Sequence, residues 1–185
     1  MEWYSEVEYS DGITFEQGDI LKDCPYYNVT RDEDDCKTEI KLYNVVILTQ
    51  SCDMANGKID KVLVAPWLPL SDIFAQDLAF KQRKNPQKLQ LSKDDKRSSF
   101  KHLKDGVRPG YHMLNKDPEV GLYDFPIVDF KNTYSIPLRE MLEVAKKQGR
   151  FTRMNSPYKE HLSQAFARFF MRVGLPATIE NPYEK

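Results

Sequence analysis

Cys52 and Asp53 end the segment Thr49-Gln50-Ser51-Cys52-Asp53, which follows one of the most β-branched stretches of the chain. A side chain carried at the end of a rigid strand is well placed to do chemistry. A cysteine there becomes a nucleophile when a base such as His112, or else His161 or His102, takes its proton and a carboxylate such as Asp53 or Asp129 orients that base. The same residues also read as a small buried hydrophobe beside a turn-capping carboxylate, with no catalysis. A second pattern is electrostatic. Residues 81–108 carry ten basic side chains against three acidic ones: Lys81, Arg83, Lys84, Lys88, Lys93, Lys96, Arg97, Lys101, Lys104 and Arg108. On one face they would attract phosphates. As a solvated loop they would instead pair with the acidic first part of the chain, where residues 1–80 hold 16 acidic and six basic side chains.

Several chemistries are excluded by what the spacing lacks. Cys24, Cys36 and Cys52 are odd in number and contain no C-x-x-C pair, so neither a disulfide framework nor a zinc site is expected. His102, His112 and His161 show no H-x-x-x-H spacing, and Gly106-Val107-Arg108-Pro109-Gly110 is too short for a phosphate loop. No metal and no cofactor is expected. The longest apolar run, from Val62 to Leu70, is broken by two prolines and falls far short of the ~20 residues that cross a bilayer. The start, Met1 to Glu8, is acidic and lacks an export signal's basic and apolar stretches, so a cytoplasmic location with no membrane partner is expected. With 41% hydrophobic and 30% charged residues over 185 positions, the composition is that of a folded domain.

The elements that must position these groups are short in the first half. Val7-Glu8-Tyr9, Ile13-Thr14-Phe15 and the Gln17 to Leu21 stretch read as strands separated by turn signals. Residues 23–37, with Pro25, Asn28 and the acidic run Asp32-Glu33-Asp34-Asp35, read as a loop. The run from Ile40 to Thr49 and that from Ile59 to Trp67 read as a central hairpin around a tight turn at Asn56-Gly57. Ser71 or Asp72 is placed to cap a helix over 72–84, ended by Asn85-Pro86. Lys88 to Ser92 alternates in period two, and further strands are expected at 110–114 and 123–130.

Two helices close the chain. Leu138, Met141, Leu142 and Ala145 stand at helical spacing behind Pro137 and before Gly149. Ser156 and Pro157 open the last helix, Gly174 and Pro176 end it, and Leu162, Ala165, Phe166, Phe169 and Val173 form its apolar stripe. Its other face carries His161, Gln164, Arg168 and Arg172; the two arginines complement the helix dipole, or the basic face meets nucleic acid. The whole reads as a single domain over 1–185, with a barrel core over about 7–135, a basic insertion over 81–108 and a C-terminal helical part over 136–185.

The order Gly18-Asp19-Ile20, a long loop, Val45-Val46-Ile47-Leu48-Thr49 and then Val62-Leu63-Val64-Ala65-Pro66 is similar to the N-terminal half of the MazF/PemK-like toxins, over roughly residues 15–70. The resemblance implies an α+β protein built on a small SH3-like β-barrel, here with additional C-terminal helices, and it implies a homodimer. The characterised members are mostly ribosome-independent endoribonucleases. Two departures bear on that activity. The family's arginine before the V-V-V strand is matched here by Leu42-Tyr43-Asn44, with Lys41 as the nearest cation. Its Ser or Thr after the V-x-V-A-P strand is matched by Trp67-Leu68, with Ser71 as the nearest hydroxyl. Without that arginine the main stabiliser of phosphorane charge is gone. The expected function is therefore a nucleic-acid-binding module for RNA or DNA that lacks the ribonuclease site. The alternatives are a protein-interaction subunit of a toxin–antitoxin or phage-defence assembly, and an enzyme, either a ribonuclease with a rearranged site or a Cys52-dependent hydrolase.

Overall fold

Gly18 sits at φ +89°, and a Cβ there would come within 3.1 Å of the Cβ atoms of both Lys159 and Met154. Only glycine lets the chain turn this tightly into its first long strand. The computed structural model describes residues 2–32 and 35–171. Among them are eight strands: β1 (Tyr4–Glu8), β2 (Asp19–Asp32), β3 (Asp35–Ile47), β4 (Lys61–Pro69), β5 (Tyr111–Met113), β6 (Pro126–Asp129), β7 (Tyr134–Pro137) and β8 (Arg150–Met154). Five α-helices accompany them: α1 (Ser51–Ala55), α2 (Leu70–Lys84), α3 (Lys93–Lys104), α4 (Leu138–Gln148) and α5 (Tyr158–Phe170).

The strands form one antiparallel sheet in the order β1-β8-β2-β3-β4-β6-β5, with β7 also on β4. β6 and β7 pair with successive stretches of β4, Trp67 facing Val128 and Val64 facing Tyr134, and a 3-10 turn over Phe130–Asn132 separates them. The fold is thus mixed α+β, and the path from β1 to β5 does not close on itself.

Burial follows the strand alternation. Phe15, Leu21, Val45, Ile47, Val62, Val64 and Ile136 are buried with Met141 and Ala145 of α4, while Ile20, Val46, Ala65 and Val128 are buried with Leu162 of α5. A smaller group, Leu70, Ile73, Leu103 and Ile127, attaches α2 and α3 to β6. Each fully buried side chain of this size stabilises the fold by about 1.5–3 kcal/mol. The basic segment is therefore packed on the sheet through Ile73 and Leu103.

Several expectations are corrected. Residues 23–32 and 35–37 are strand and not loop: β2 and β3 pair from Ile20–Val46 out to Asp32–Asp35, with a bulge between Leu21 and Cys24 where Asp23 has φ +51°. Pro25 and the acidic run signal turns, but cross-strand pairing of the exposed arm satisfies the backbone without a core. The part over 136–185 is not simply helical, because β8 lies between β1 and β2 and completes the sheet. Its Arg150-Phe151-Thr152-Arg153-Met154 is too charged to announce a strand, yet Phe151 and Met154 are buried. Ile13-Thr14-Phe15 and Lys88 to Ser92 form no strand. β3 and β4 are joined through α1 rather than by a two-residue turn, and Asn56 is the C-cap of that helix. α2 begins at Leu70, ahead of both proposed caps, and the Ser71 amide donates to Asp124 Oδ2 at 3.0 Å. Ser156 does not cap α5; its hydroxyl donates to Glu160 Oε1 at 2.7 Å. Gly149 does end α4, in the left-handed conformation. Val173, Gly174 and Pro176 lie outside the described residues.

Candidate functional site

α3 was hidden in the sequence because its twelve residues are mostly charged. It starts on a reciprocal cap: Ser92 Oγ accepts the Asp95 amide and Asp95 Oδ2 accepts the Ser92 amide, both at 3.1 Å. Such a cap contributes about 1 kcal/mol. Asp95 also receives the ammonium groups of Lys81 and Lys88, and these hold its carboxyl well below the usual carboxylate range. Arg108 reaches Asp77 at 3.2 Å, and Ser99 donates to the same carboxylate at 2.5 Å. Three of the ten basic residues, Lys81, Lys88 and Arg108, therefore tie α2, α3 and the following loop together. Two more lie against rings: Lys84 over Phe80 at 5.5 Å and Lys96 over Phe74 at 5.9 Å. Arg83 is exposed near the end of α2 and lines a shallow cleft with Arg108.

The remaining four are organised differently. Lys93, Arg97, Lys101 and Lys104 stand at i, i+4, i+8 and i+11 of α3, within about 80° of one another at the helical pitch. All four are exposed, and among the described residues no carboxylate lies within ion-pair distance of them. Helix geometry has turned part of a charge run into a positive stripe whose opposite side buries Ser99 and Leu103.

The stripe ends at a cleft of about 520 Å³ between the C-terminus of α3 and α5. Lys104 is shared by the two, and His161, Gln164 and Arg168 of α5 line the far wall. Arg172, from the same expected helix face, lies outside the described residues. The floor includes His112 and Phe130, whose rings stack with centroids 6.2 Å apart. Burial pushes the His112 imidazole down to about 4, with the charge of His161 adding to the effect. His112 is thus neutral at pH 7.

A second cleft, of about 500 Å³, opens on the other side of Tyr111. Tyr26, Tyr43 and Tyr134 line it, every pair of them edge to face with centroids 5.1–6.4 Å apart. Lys131 Nζ stands 4.0 Å from the Tyr111 ring centre, and the Arg108 guanidinium is 5.1 Å from the same centre. The Lys131 stem crosses Gly110, where a Cβ would meet its Cδ at 2.9 Å, so the glycine leaves the lysine its path. Asp129 is buried and accepts the Lys131 amide at 3.0 Å and the Asn132 amide group at 2.8 Å, which fixes the turn carrying the lysine. Arg108 and Asp129 stand here in other company than the sequence suggested, and the three tyrosines and Lys131 were not grouped by spacing, because β2, β3, β5 and β7 meet only through the sheet.

The thiol constellation does not assemble in this structure. Cys52 is exposed on α1, and its sulfur lies 3.7 Å from Gln50 Oε1 and 3.9 Å from Asp53 Oδ1. Neither Cys52 nor Asp53 lines the cleft that holds His112 and His161. Asp129 is likewise committed to Lys131 and Asn132, while His102 is exposed on α3. Cys24 is buried and its thiol is pushed up to about 12 by desolvation, with Asp23 contributing.

One polar cluster went unnoticed in the sequence. Arg153 of β8 clasps buried Asp19 through Nε at 2.7 Å and Nη2 at 2.8 Å, and it reaches Glu16 at 2.6 Å and the Thr14 carbonyl at 3.2 Å. Lys159 of α5 meets Glu16 at 3.0 Å. With each guanidinium nitrogen engaged, the cluster joins β2, β8 and α5 and offers no free cation to a ligand. Among the described residues no group of three or more His, Cys, Asp or Glu side chains could hold a metal, and no helix is long and apolar enough to cross a membrane. Comparison with known proteins finds no matching family model and no matching curated relative.

Proposed function

We propose that this chain is a nucleic-acid-binding module built on a MazF/PemK-like, SH3-type strand arrangement and lacking that family's ribonuclease site. The observation that carries the reading is the convergence of two basic surfaces: the α3 stripe runs into a cleft whose other wall is the His161, Gln164 and Arg168 face of α5. Four cations along a helix, with no carboxylate partner among the described residues, match a phosphate backbone better than they serve the fold, which already uses the paired ones. The strand arrangement agrees with the resemblance, since the three motif segments are neighbours: Ile20 pairs with Val46, and Val46 pairs with Ala65. Asn44, in the place of the family's arginine, accepts the Asp23 amide at the bulge instead of facing a substrate with charge.

The test is fluorescence anisotropy with short single-stranded RNA and duplex DNA at two salt concentrations, with RNA integrity scored in the same samples. Binding that weakens steeply with salt over intact RNA supports the module. Cleavage would return the protein to the nuclease reading, and the absence of binding at low salt would refute the proposal.

A second reading, an assembly subunit or homodimer, is favoured by one observation. Tyr27, Val29, Ile40 and Leu42 are all exposed large side chains on one face of the β2–β3 arm. Light scattering across a concentration series tests self-association, with a constant monomer mass counting against the homodimer.

A further inference from the structure

Resting on the nucleic-acid reading above, we propose that the tyrosine-lined cleft receives an unpaired base, so that the protein is specific for single strands. The α3 stripe supplies phosphate contacts that cannot by themselves distinguish a single strand from a duplex. The second cleft can, because its walls are strands of the sheet and a base must leave its stack to enter. Tyr26, Tyr43 and Tyr134 are half-buried and hold one another edge to face, so the rings are preorganised and lose little freedom on binding. Gln76 and Asn132 place amide groups on the same lining. The volume of about 500 Å³ falls in the range of small-ligand clefts, about 300–1,000 Å³.

The position of the cations completes the argument. Tyr111 separates this cleft from the one that ends the α3 stripe, and Lys131 and Arg108 both lie against its ring. A strand that leaves the stripe at Lys104 meets positive charge at Tyr111 before it reaches the three tyrosines. That is the alternation of phosphate and base which a single strand presents. A quaternary ammonium ligand, the other occupant that aromatic walls attract, is disfavoured because Lys131 already lines the cleft, its ammonium over the Tyr111 ring, and Asp129 is used by its own turn.

The test uses the full chain with a short single-stranded oligonucleotide carrying 2-aminopurine at one position, the same strand with an abasic site there, and the duplex. Base–aromatic stacking of about 1–3 kcal/mol predicts that the abasic strand binds roughly 5- to 150-fold more weakly, and that 2-aminopurine emission is quenched on binding. Tyr43→Ala should erase the difference between the intact and abasic strands while leaving the salt dependence unchanged. Because that variant removes packing, Gly110→Ala, which displaces Lys131 from the cleft lining, serves as a milder probe and should reduce the preference for the intact strand. Salt-sensitive binding that ignores the abasic site, or a duplex bound as tightly as the single strand, overturns the base cleft and leaves the module standing. Displacement of the strand by tetramethylammonium at unchanged ionic strength also overturns it, in favour of a cation cage. No binding of any strand at low salt removes both proposals.

Discussion

Replacing Arg153 by Met should reveal how much the fold depends on a buried carboxylate. Asp19 is fully buried, and its charge is met by two guanidinium hydrogen bonds of 2.7 and 2.8 Å and by the Glu16 amide at 2.8 Å. Burial pushes its carboxyl up, against the pull of Arg153 and that amide. Removing one member of a buried pair costs about 3–5 kcal/mol. The Arg153 side chain keeps 21% exposure, so the lower end, about 3 kcal/mol, applies. The sign of the pH dependence follows. Without the guanidinium, the folded-state pKa of Asp19 rises further above its unfolded value, and a group raised in this way contributes stability at low pH that is lost as pH rises through the folded pKa. The deficit of Arg153→Met relative to wild type should therefore be larger at pH 7 than at pH 5. Asp19→Asn combined with Arg153→Met should cost less than Arg153→Met alone, since no charge is left stranded. Urea denaturation followed by the emission of Trp3 and Trp67 gives all of these values. A deficit under about 1 kcal/mol, or one independent of pH, would refute the reasoning.

Other expectations are simpler to check. In the native protein an alkylating reagent should label Cys36 and Cys52, which are exposed, and spare Cys24, which is buried with its thiol pushed up to about 12; mass spectrometry of the labelled peptides decides it. His112, neutral and pushed down to about 4 in the folded chain, binds its proton more readily when unfolded, so stability should fall as pH drops from about 6.5 towards 4 and His112→Phe should flatten that part of the curve. At about 1.4 kcal/mol per pH unit the effect is at most about 3.5 kcal/mol, and an unchanged pH curve for the variant would refute the assignment.

The parts of the fold that were legible in the sequence are those where one element carries its own signal. The apolar spacing of α4 and its Gly149 stop, and the β-branched runs of β3 and β4, need no partner to be recognised. β8 needed one, because its charged positions hide a strand until β1 and β2 lie on either side of it. The β2–β3 arm defied composition because its hydrogen bonds, and not a core, hold it extended. At the candidate site the excess of positive charge was visible, but not its division into cations that staple α2 to α3 and cations that face outward. That division depends on Asp77 and Asp95, which look like any other carboxylates until the helices pack. The three tyrosines, at positions 26, 43 and 134, are brought together only by the sheet, and no local pattern could announce them.

The central claim is that the α3 stripe contacts phosphates, and the most direct test is the slope of log affinity for a single-stranded oligonucleotide against log salt concentration. Each phosphate contact on a single strand contributes about 0.7 to that slope. Arg97→Glu with Lys101→Glu removes two contacts, so the slope should shrink by roughly 1.4 and affinity should fall at low salt. Lys58→Glu with Lys61→Glu makes the same change in net charge at exposed positions in and beside β4, and should leave the slope as in the wild type. Equal slopes for all three proteins, or a wild-type affinity that does not respond to salt, would contradict the account.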